Sequence, residues 1–215
     1  MAPVGFGGTS QYAACVNALA GAIENLPPGG RVTVVGITNE SFAKPGVLLS
    51  AAIPADKGRL EFLDQIEIAK RRISSQLRQR AARARPDAPR SDILGFFVYA
   101  GALLREQPQS RKVLMVCSDM RQNANAINLE RPQTIDAGQA LQAAEKQRLV
   151  ADLKGVDVYI FGVHAAGKTV LYWHSLQTFW AEYFRRCGAN LREFSMGYEP
   201  PRFAGMPAHA GVGEK

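Results

Sequence analysis

Three short segments of this chain are apolar or β-branched at both odd and even positions. They cover residues 31–38, 112–119 and 156–163. A strand with one solvent-facing side alternates polar and apolar residues, so these segments predict strands that are covered on both faces. Predicted helices separate them along the chain. The pattern therefore predicts an α/β domain with a doubly wound, mostly parallel sheet.

The remaining elements follow from capping residues and from the spacing of apolar side chains. The segment 47–53 follows the first strand too closely for a helical crossover, so we expect it to pair antiparallel at an edge of the sheet. A tail that contains the pair Pro200-Pro201 and three glycines follows residue 198. We expect one domain over 1–198 and a flexible tail over 199–215. The other predictions are helices over 9–26, 57–85, 93–104 and 136–153, an aromatic helix over 173–184 with its rings in the core, and a last strand over 190–195.

The positive charge of the chain is concentrated in one segment. The whole chain carries a formal net charge of +7, and residues 70–90 alone hold eight basic residues against one acidic residue. The rest of the domain is therefore neutral, which argues against a generally basic nucleic-acid-binding protein. A solvated helix face, an acidic protein partner and nucleic acid remain open as explanations, and no aromatic residues interleave with the arginines to stack on bases. The arginines expected to form this basic surface are Arg71, Arg72, Arg78, Arg83 and Arg85.

Cysteine usage and hydropathy bear on the compartment. Cys15, Cys117 and Cys187 lie in apolar helix or strand patterns, with no zinc spacing and no Cys-x-x-Cys pair. We expect three buried thiols without a disulfide or a metal. No apolar run is long enough for a membrane span, and the first residues lack the features of a signal peptide. A cytoplasmic location without membrane contact is the resulting expectation.

Polar side chains stand where ligands bind in open parallel sheets, at the carboxyl ends of the strands. Ser118 and Asp119 end one predicted strand, and Ser91 and Asp92 precede the helix before that strand. Binding sites in this fold class lie at this edge. Hydroxyl and carboxylate oxygens from separate loops are ligands that suit Mg²⁺. The competing explanation is that Ser91 caps a helix and Asp119 accepts hydrogen bonds within a turn.

These blocks together resemble a von Willebrand factor A domain of the bacterial type, which has a Rossmann-like fold. The resemblance covers about residues 9–196, and the antiparallel pair at 31–53 matches the family's topology. The segments that carry it are Ser91-Asp-Ile-Leu-Gly, Lys112-Val-Leu-Met-Val-Cys-Ser-Asp-Met-Arg121, Val156-Asp-Val-Tyr-Ile-Phe-Gly-Val163 and Cys187-Gly-Ala.

The resemblance implies a non-catalytic protein-binding module with a metal-ion-dependent adhesion site. Ser91 falls on the family's Thr ligand and Asp119 on its third-loop Asp. The family's first strand, with its Asp-x-Ser-x-Ser motif, lies between the strands at 31–38 and 112–118, and this sequence contains no such motif. The implied site is therefore partial, and Mg²⁺ or Mn²⁺ is expected only if such a strand is supplied. The expected partner-binding edge consists of Asp92, Ser118, Arg121, Gln122 and Asn123.

A second motif allows an enzymatic alternative. Residues 162–169 satisfy Gly-x-x-x-x-Gly-Lys-Thr between a predicted strand and a helix, as in a P-loop nucleotide-binding protein. Gly162, Gly167, Lys168 and Thr169 would then bind phosphates and Mg²⁺. The position of the motif near the end of the chain argues against this alternative. His164 lies inside the motif and is expected at the surface or at a cap.

Overall fold

The chain folds as a mixed α/β protein, which confirms the predicted class at this level. A computed structural model describes residues 8–58, 60–84, 90–107, 111–124, 127–164 and 167–199. The elements in chain order are α1 (Gly8–Glu24), β1 (Arg31–Gly36), β2 (Gly46–Ala52), α2 (Leu60–Arg83), α3 (Ile93–Arg105), β3 (Val113–Cys117), β4 (Asn123–Ala124), β5 (Ile127–Asn128), α4 (Ala137–Lys146), β6 (Asp157–Phe161), α5 (Val170–Arg186) and β7 (Asn190–Phe194).

The described strands form three separate sheets. Strands β3, β6 and β7 make a parallel sheet with β6 in the centre. Strands β1 and β2 form an antiparallel ribbon, which confirms the pairing predicted for the segment 47–53. The small antiparallel pair β4–β5 lies in the segment after β3, where no strand was predicted. A single doubly wound sheet is not present in the described residues, because no hydrogen-bonded ladder joins β1 to β3.

Two hydrophobic clusters define two lobes. The first lobe comprises α1, β1, β2 and α2, and its cluster includes Val16, Leu49 and Leu77. The second lobe comprises α3 to β7, and its cluster surrounds β6 with the aromatic residues of α5. The expected aromatic core is confirmed: four rings are fully buried and Trp173 packs against them from the side. The four are Phe179, Trp180, Tyr183 and Phe184.

Strand β1 is less buried than its sequence predicts. Its apolar residues are all half-buried, whereas four of the five residues of β6 are fully buried. Among the described residues β1 pairs only with β2, and β3 pairs only with β6. Each of these two strands therefore has one edge without a neighbouring strand, which leaves its side chains accessible. The prediction of coverage on both faces is confirmed for β6 and is wrong for β1 and for β3, in which only Val116 is buried.

Helix α4 ends seven residues earlier than the predicted boundary at residue 153. Arg148 has a φ of 58°, and Leu149 N donates to Ala144 O (2.8 Å) while Arg148 N donates to Glu145 O (2.9 Å). This pair of bonds around a left-handed residue is a Schellman ending. A non-glycine residue in that conformation gives little sequence signal, so the apolar spacing alone overextends the helix.

The structure corrects the expectation that all three cysteines are free thiols. Cys15 on α1 and Cys117 at the end of β3 form a disulfide, with their Cα atoms 5.6 Å apart. The expectation failed because the fold brings together two cysteines that are 102 residues apart in the chain, and no local pattern reports such a contact. Cys187 is buried and free, as predicted. Within the described ranges, no helix has the length and apolar character that a bilayer crossing requires.

Candidate functional site

The structure brings together two of the segments predicted to form a binding edge. The backbone N–H of Ser91 donates to Oδ1 of Asn123 (2.6 Å), and the N–H of Asn123 donates to the carbonyl of Ser91 (3.3 Å). The segment 118–124 therefore lies against the start of α3. We call these two segments, 90–92 and 118–124, the carboxyl edge, because 118–124 directly follows the carboxyl end of β3.

Gln122 holds the carboxyl edge from inside. Its side chain is completely buried, and its Oε1 accepts hydrogen bonds from the N–H groups of Ile93 (2.6 Å) and Leu94 (3.1 Å). Its Nε2 donates to the carbonyl of Ala124 (2.9 Å). Gln122 thus satisfies two backbone donors at the start of α3 that have no partner within the helix. It was predicted to face a partner, and its burial places it beneath the surface instead.

Asp92 is also buried and fully engaged. One carboxylate oxygen accepts from the N–H of Gly95 (3.0 Å), which makes Asp92 the N-cap of α3, and the other accepts from the N–H of Ser41 (3.0 Å). The N–H of Asp92 donates to the carbonyl of Thr38 (2.8 Å). A Cβ at position 95 would collide with this carboxylate, so the position requires glycine. Asp92, rather than the predicted Ser91, therefore caps the helix, and it joins the first lobe to the second.

The remaining residues of the edge combine turn geometry with partial exposure. The Ser118 hydroxyl is buried and accepts from the N–H of Met120 (3.0 Å), while Asp119 accepts from the N–H of Arg121 (3.1 Å). Burial raises the pKa of Asp119, although the N–H and the guanidinium of Arg121 and the nearby His164 act in the opposite direction. Ser91, Asp119, Arg121 and Asn123 are half-buried, so a partner can reach them.

The residues of the edge do not by themselves fit the divalent cation that the resemblance implies. Among the residues that the structure describes, no group of three or more His, Cys, Asp or Glu side chains is arranged to hold a metal ion. The carboxylate of Asp92 is already shared between two backbone amides. Ser91 and Asp119 offer two oxygens, whereas Mg²⁺ requires six ligands in near-octahedral geometry.

His164 is a residue of the site that the sequence reasoning did not select. It follows β6, whose last residue, Phe161, is in register with Cys117 of β3, so His164 and Asp119 leave the same end of adjacent parallel strands. It acts electrostatically on Asp119. Its Nδ1 is buried, and no hydrogen-bond partner for it occurs in the described part of the chain. The sequence held one signal for this residue: His164 comes directly after the predicted strand 156–163, at the same end as Asp119 of the predicted strand 112–119.

Glu130 is a second residue that the sequence gave no reason to select. Its Oε2 accepts a hydrogen bond from Nδ2 of Asn123 (2.9 Å), and its charge adds to the burial that raises the pKa of Asp119. The segment that follows β5 therefore lies beside the carboxyl edge. This proximity depends on the β4–β5 pair, which the sequence did not predict.

The residues of the Gly-x-x-x-x-Gly-Lys-Thr motif have structural contacts of their own. Nζ of Lys168 donates to the carbonyls of Glu130 and Pro132 and lies 4.9 Å from the centre of the Tyr172 ring. The Thr169 hydroxyl accepts from the N–H of Tyr172 (3.1 Å) as the N-cap of α5.

The two glycines of the motif have a φ of 75°, and Gly162 packs closely against other residues. A Cβ at Gly162 would lie 3.0 Å from both Sγ of Cys117 and the ring of Tyr198, so this glycine serves close packing. Gly167 has open space around it. Residues 165 and 166 of the motif lie outside the described residues. Nothing in the described contacts favours a phosphate-binding loop.

Only part of the predicted basic surface is free of contacts within the first lobe. Arg71, Arg72 and Arg83 are exposed on α2. Nη1 of Arg78 lies 3.7 Å from Oε1 of Glu24, and Nε of Arg78 donates to Oδ1 of Asn17 on α1 (3.4 Å). The predicted member Arg85 lies outside the described residues. Some of the basic side chains on α2 therefore stabilise the first lobe itself.

Comparison of the chain with protein-family models, with curated proteins and with solved structures gives no match. The functional argument therefore depends on the residues and contacts described above.

Proposed function

We propose that this protein is a non-catalytic protein-binding module of the von Willebrand factor A type, and that the carboxyl edge is its binding surface. One observation carries the proposal: hydrogen bonds between Ser91 and Asn123, supported by buried Gln122, join two separate segments into one surface. Rigid polar loops at the carboxyl ends of strands are where this class of sheet binds its ligands.

The division of roles within the carboxyl edge supports binding. Buried Asp92 and Gln122 and the doubly bonded amide of Asn123 fix the backbone, while Asp119 and Arg121 place a carboxylate and a guanidinium at half-exposed positions. Such a mixed polar surface, already ordered before the partner arrives, has a reduced entropic cost of association. We expect a protein partner, and the exposed arginines of α2 would favour an acidic one.

The arrangement of the ribbon β1–β2 beside the parallel sheet is compatible with the proposed family. Among the described residues, β1 and β3 each have one edge without a neighbouring strand, which supports the proposal because the family's first strand would pair with both. The proposal assigns Mg²⁺ or Mn²⁺ only to a chain in which that strand supplies Asp-x-Ser-x-Ser, because Ser91 and Asp119 alone offer too few oxygens. When bound, the metal would link these oxygens to an acidic side chain of the partner.

Calorimetric titration tests the metal assignment. We expect no heat of binding when Mg²⁺ or Mn²⁺ is added to the chain of 215 residues. A chain extended by a preceding strand with the motif should bind the metal, and Asp119→Ala should abolish that binding. Metal binding that survives Asp119→Ala would contradict the assignment of Asp119 as a ligand.

Site-specific photocrosslinking tests the binding surface. Arg131 is exposed and follows Glu130, whose carboxylate accepts from Asn123 beside the edge. Lys154 is exposed in the loop that precedes β6, at the opposite end of the sheet, and provides the matched control position. A photoreactive residue at position 131 should form covalent adducts with a partner protein, and Asp119→Ala should remove these adducts. A photoreactive residue at position 154 should form no such adducts. The same adducts from both positions would refute the proposed surface.

A further inference from the structure

We infer that the Cys15–Cys117 disulfide is a redox-sensitive cross-link between the two lobes, and that its reduction loosens the first lobe without unfolding the second. This regulatory device goes beyond the proposed function. It concerns the stability of the lobes themselves, so it is testable without a binding partner.

The disulfide joins residues that neighbour two different hydrophobic clusters. Cys15 precedes Val16, which packs in the cluster of the first lobe, and Cys117 follows Val116, which packs in the cluster of the second. The bond therefore connects the edges of two cores that are otherwise built from different elements. A cross-link inside one core would only reinforce contacts that packing already provides.

The other connections between the lobes are few in the described residues. The carbonyl of Thr38 accepts from Asp92 N–H, and the carboxylate of Asp92 accepts from Ser41 N–H. Val35 and Ile37 pack against the cluster of the second lobe. Among the strands that the structure describes, no hydrogen-bonded ladder joins β1–β2 to β3–β6–β7. The covalent bond therefore contributes a large share of the attachment between the lobes, since a cross-link that closes a long loop strongly restricts the open states.

The reduction has a defined chemistry and a defined site of attack. A dithiol reductant supplies two electrons and two protons. Its first thiolate attacks Sγ of Cys117, the more exposed of the two cysteines, and Cys15 leaves as a thiolate that takes up a proton. The second thiol of the reductant then resolves the mixed disulfide. The products are two protein thiols and the oxidised, disulfide form of the reductant.

The position of Cys117 connects this reaction to the carboxyl edge. Ser118 and Asp119 follow it directly, and the N–H of Ser118 donates to the carbonyl of Phe161 (3.1 Å). Reduction would release α1 from this end of β3 while the hydrogen bonds between β3 and β6 remain. In the cytoplasmic location that the sequence predicts, disulfides are usually transient and redox-sensing rather than structural.

Thiol counting and hydrogen exchange on the full chain test the inference. Alkylation in denaturant should modify Cys187 alone in the oxidised protein and all three cysteines after treatment with the dithiol dithiothreitol. Hydrogen exchange followed by mass spectrometry should then show that reduction accelerates exchange in α1 and β1 by about tenfold or more. Exchange in β6 should not change. Cys187→Ser provides the matched control, because it removes a thiol but keeps the cross-link.

Each other outcome contradicts the inference. Three alkylatable cysteines in the oxidised protein would show that the bond does not form. Equal exchange of α1 and β1 before and after complete reduction would show that the bond does not hold the lobes together. Accelerated exchange in β6 as well would show that the disulfide stabilises the whole fold and not the first lobe alone. Cys15→Ser should reproduce the reduced state of the wild type without any reductant.

Discussion

Replacement of Asp92 by alanine should destabilise the protein more than the loss of an ordinary helix cap. The variant removes the N-cap of α3, which costs about 1 kcal/mol. It also leaves the N–H of Ser41 without its acceptor, and Ser41 is completely buried, so a further cost of about 1–3 kcal/mol follows. The free energy of unfolding should therefore fall by about 2–4 kcal/mol in total.

Urea denaturation of the oxidised protein, followed by circular dichroism, measures this free energy. Asp136→Ala is the matched control, because Asp136 caps α4 through one exposed hydrogen bond to Gln139 N–H (2.9 Å). We expect a loss of only about 1 kcal/mol for that variant. The loss of unfolding free energy for Asp92→Asn should lie between the losses for Asp136→Ala and Asp92→Ala, since an amide keeps one acceptor oxygen. Equal losses for Asp92→Ala and Asp136→Ala would refute the reasoning that Asp92 links the lobes.

Three further predictions concern other side chains. ATP should not raise the melting temperature of the wild type, because Lys168 is engaged with backbone carbonyls; a rise that Lys168→Ala abolishes would restore the nucleotide-binding alternative. The hydrogen bonds from Arg185 lower the pKa of Glu182 from 4.5 to about 2, so the contribution of this carboxylate to stability should be complete above about pH 4.5 and be lost as the pH falls from there through about 2. An NMR titration of Arg185→Gln should show the midpoint of Glu182 shifted toward 4.5. Burial raises the pKa of the Cys187 thiol to about 11, so iodoacetamide at about pH 8 should label this cysteine in the unfolded chain but not in the folded one.

The parts of the fold that depend on local pattern could be predicted from the sequence. Strand β6 is apolar at every position after Asp157, and it lies between two neighbouring strands. The aromatic spacing of α5 predicted its buried face, and its end at Cys187-Gly188 follows the usual preference for a left-handed glycine, with a φ of 69° at Gly188. These features need only information that lies within one segment.

The parts that depend on long-range packing could not be predicted. Gln122 caps a helix that begins 29 residues earlier, so no capping rule that considers adjacent residues identifies it. The pairing of Cys15 with Cys117 requires knowing that α1 and the end of β3, which are 102 residues apart in the chain, lie next to each other at these two residues. The same limit applies to β1, whose apolar sequence predicted two neighbouring strands where the described residues provide only one.

In the part of the chain that the structure describes, β1 and β3 each have one edge without a pairing strand, and this has a consequence for the behaviour of the protein in concentrated solution. A free edge offers backbone donors and acceptors to any other chain, and natural proteins protect such edges with charged side chains and bulges. Exposed Arg31 begins β1, the ribbon contains a bulge at Leu48 where its pairing register shifts, and Lys112 directly precedes β3. These features would oppose edge-to-edge aggregation between copies of the chain, so neutral residues in place of Arg31 and Lys112 should reduce solubility before they reduce stability.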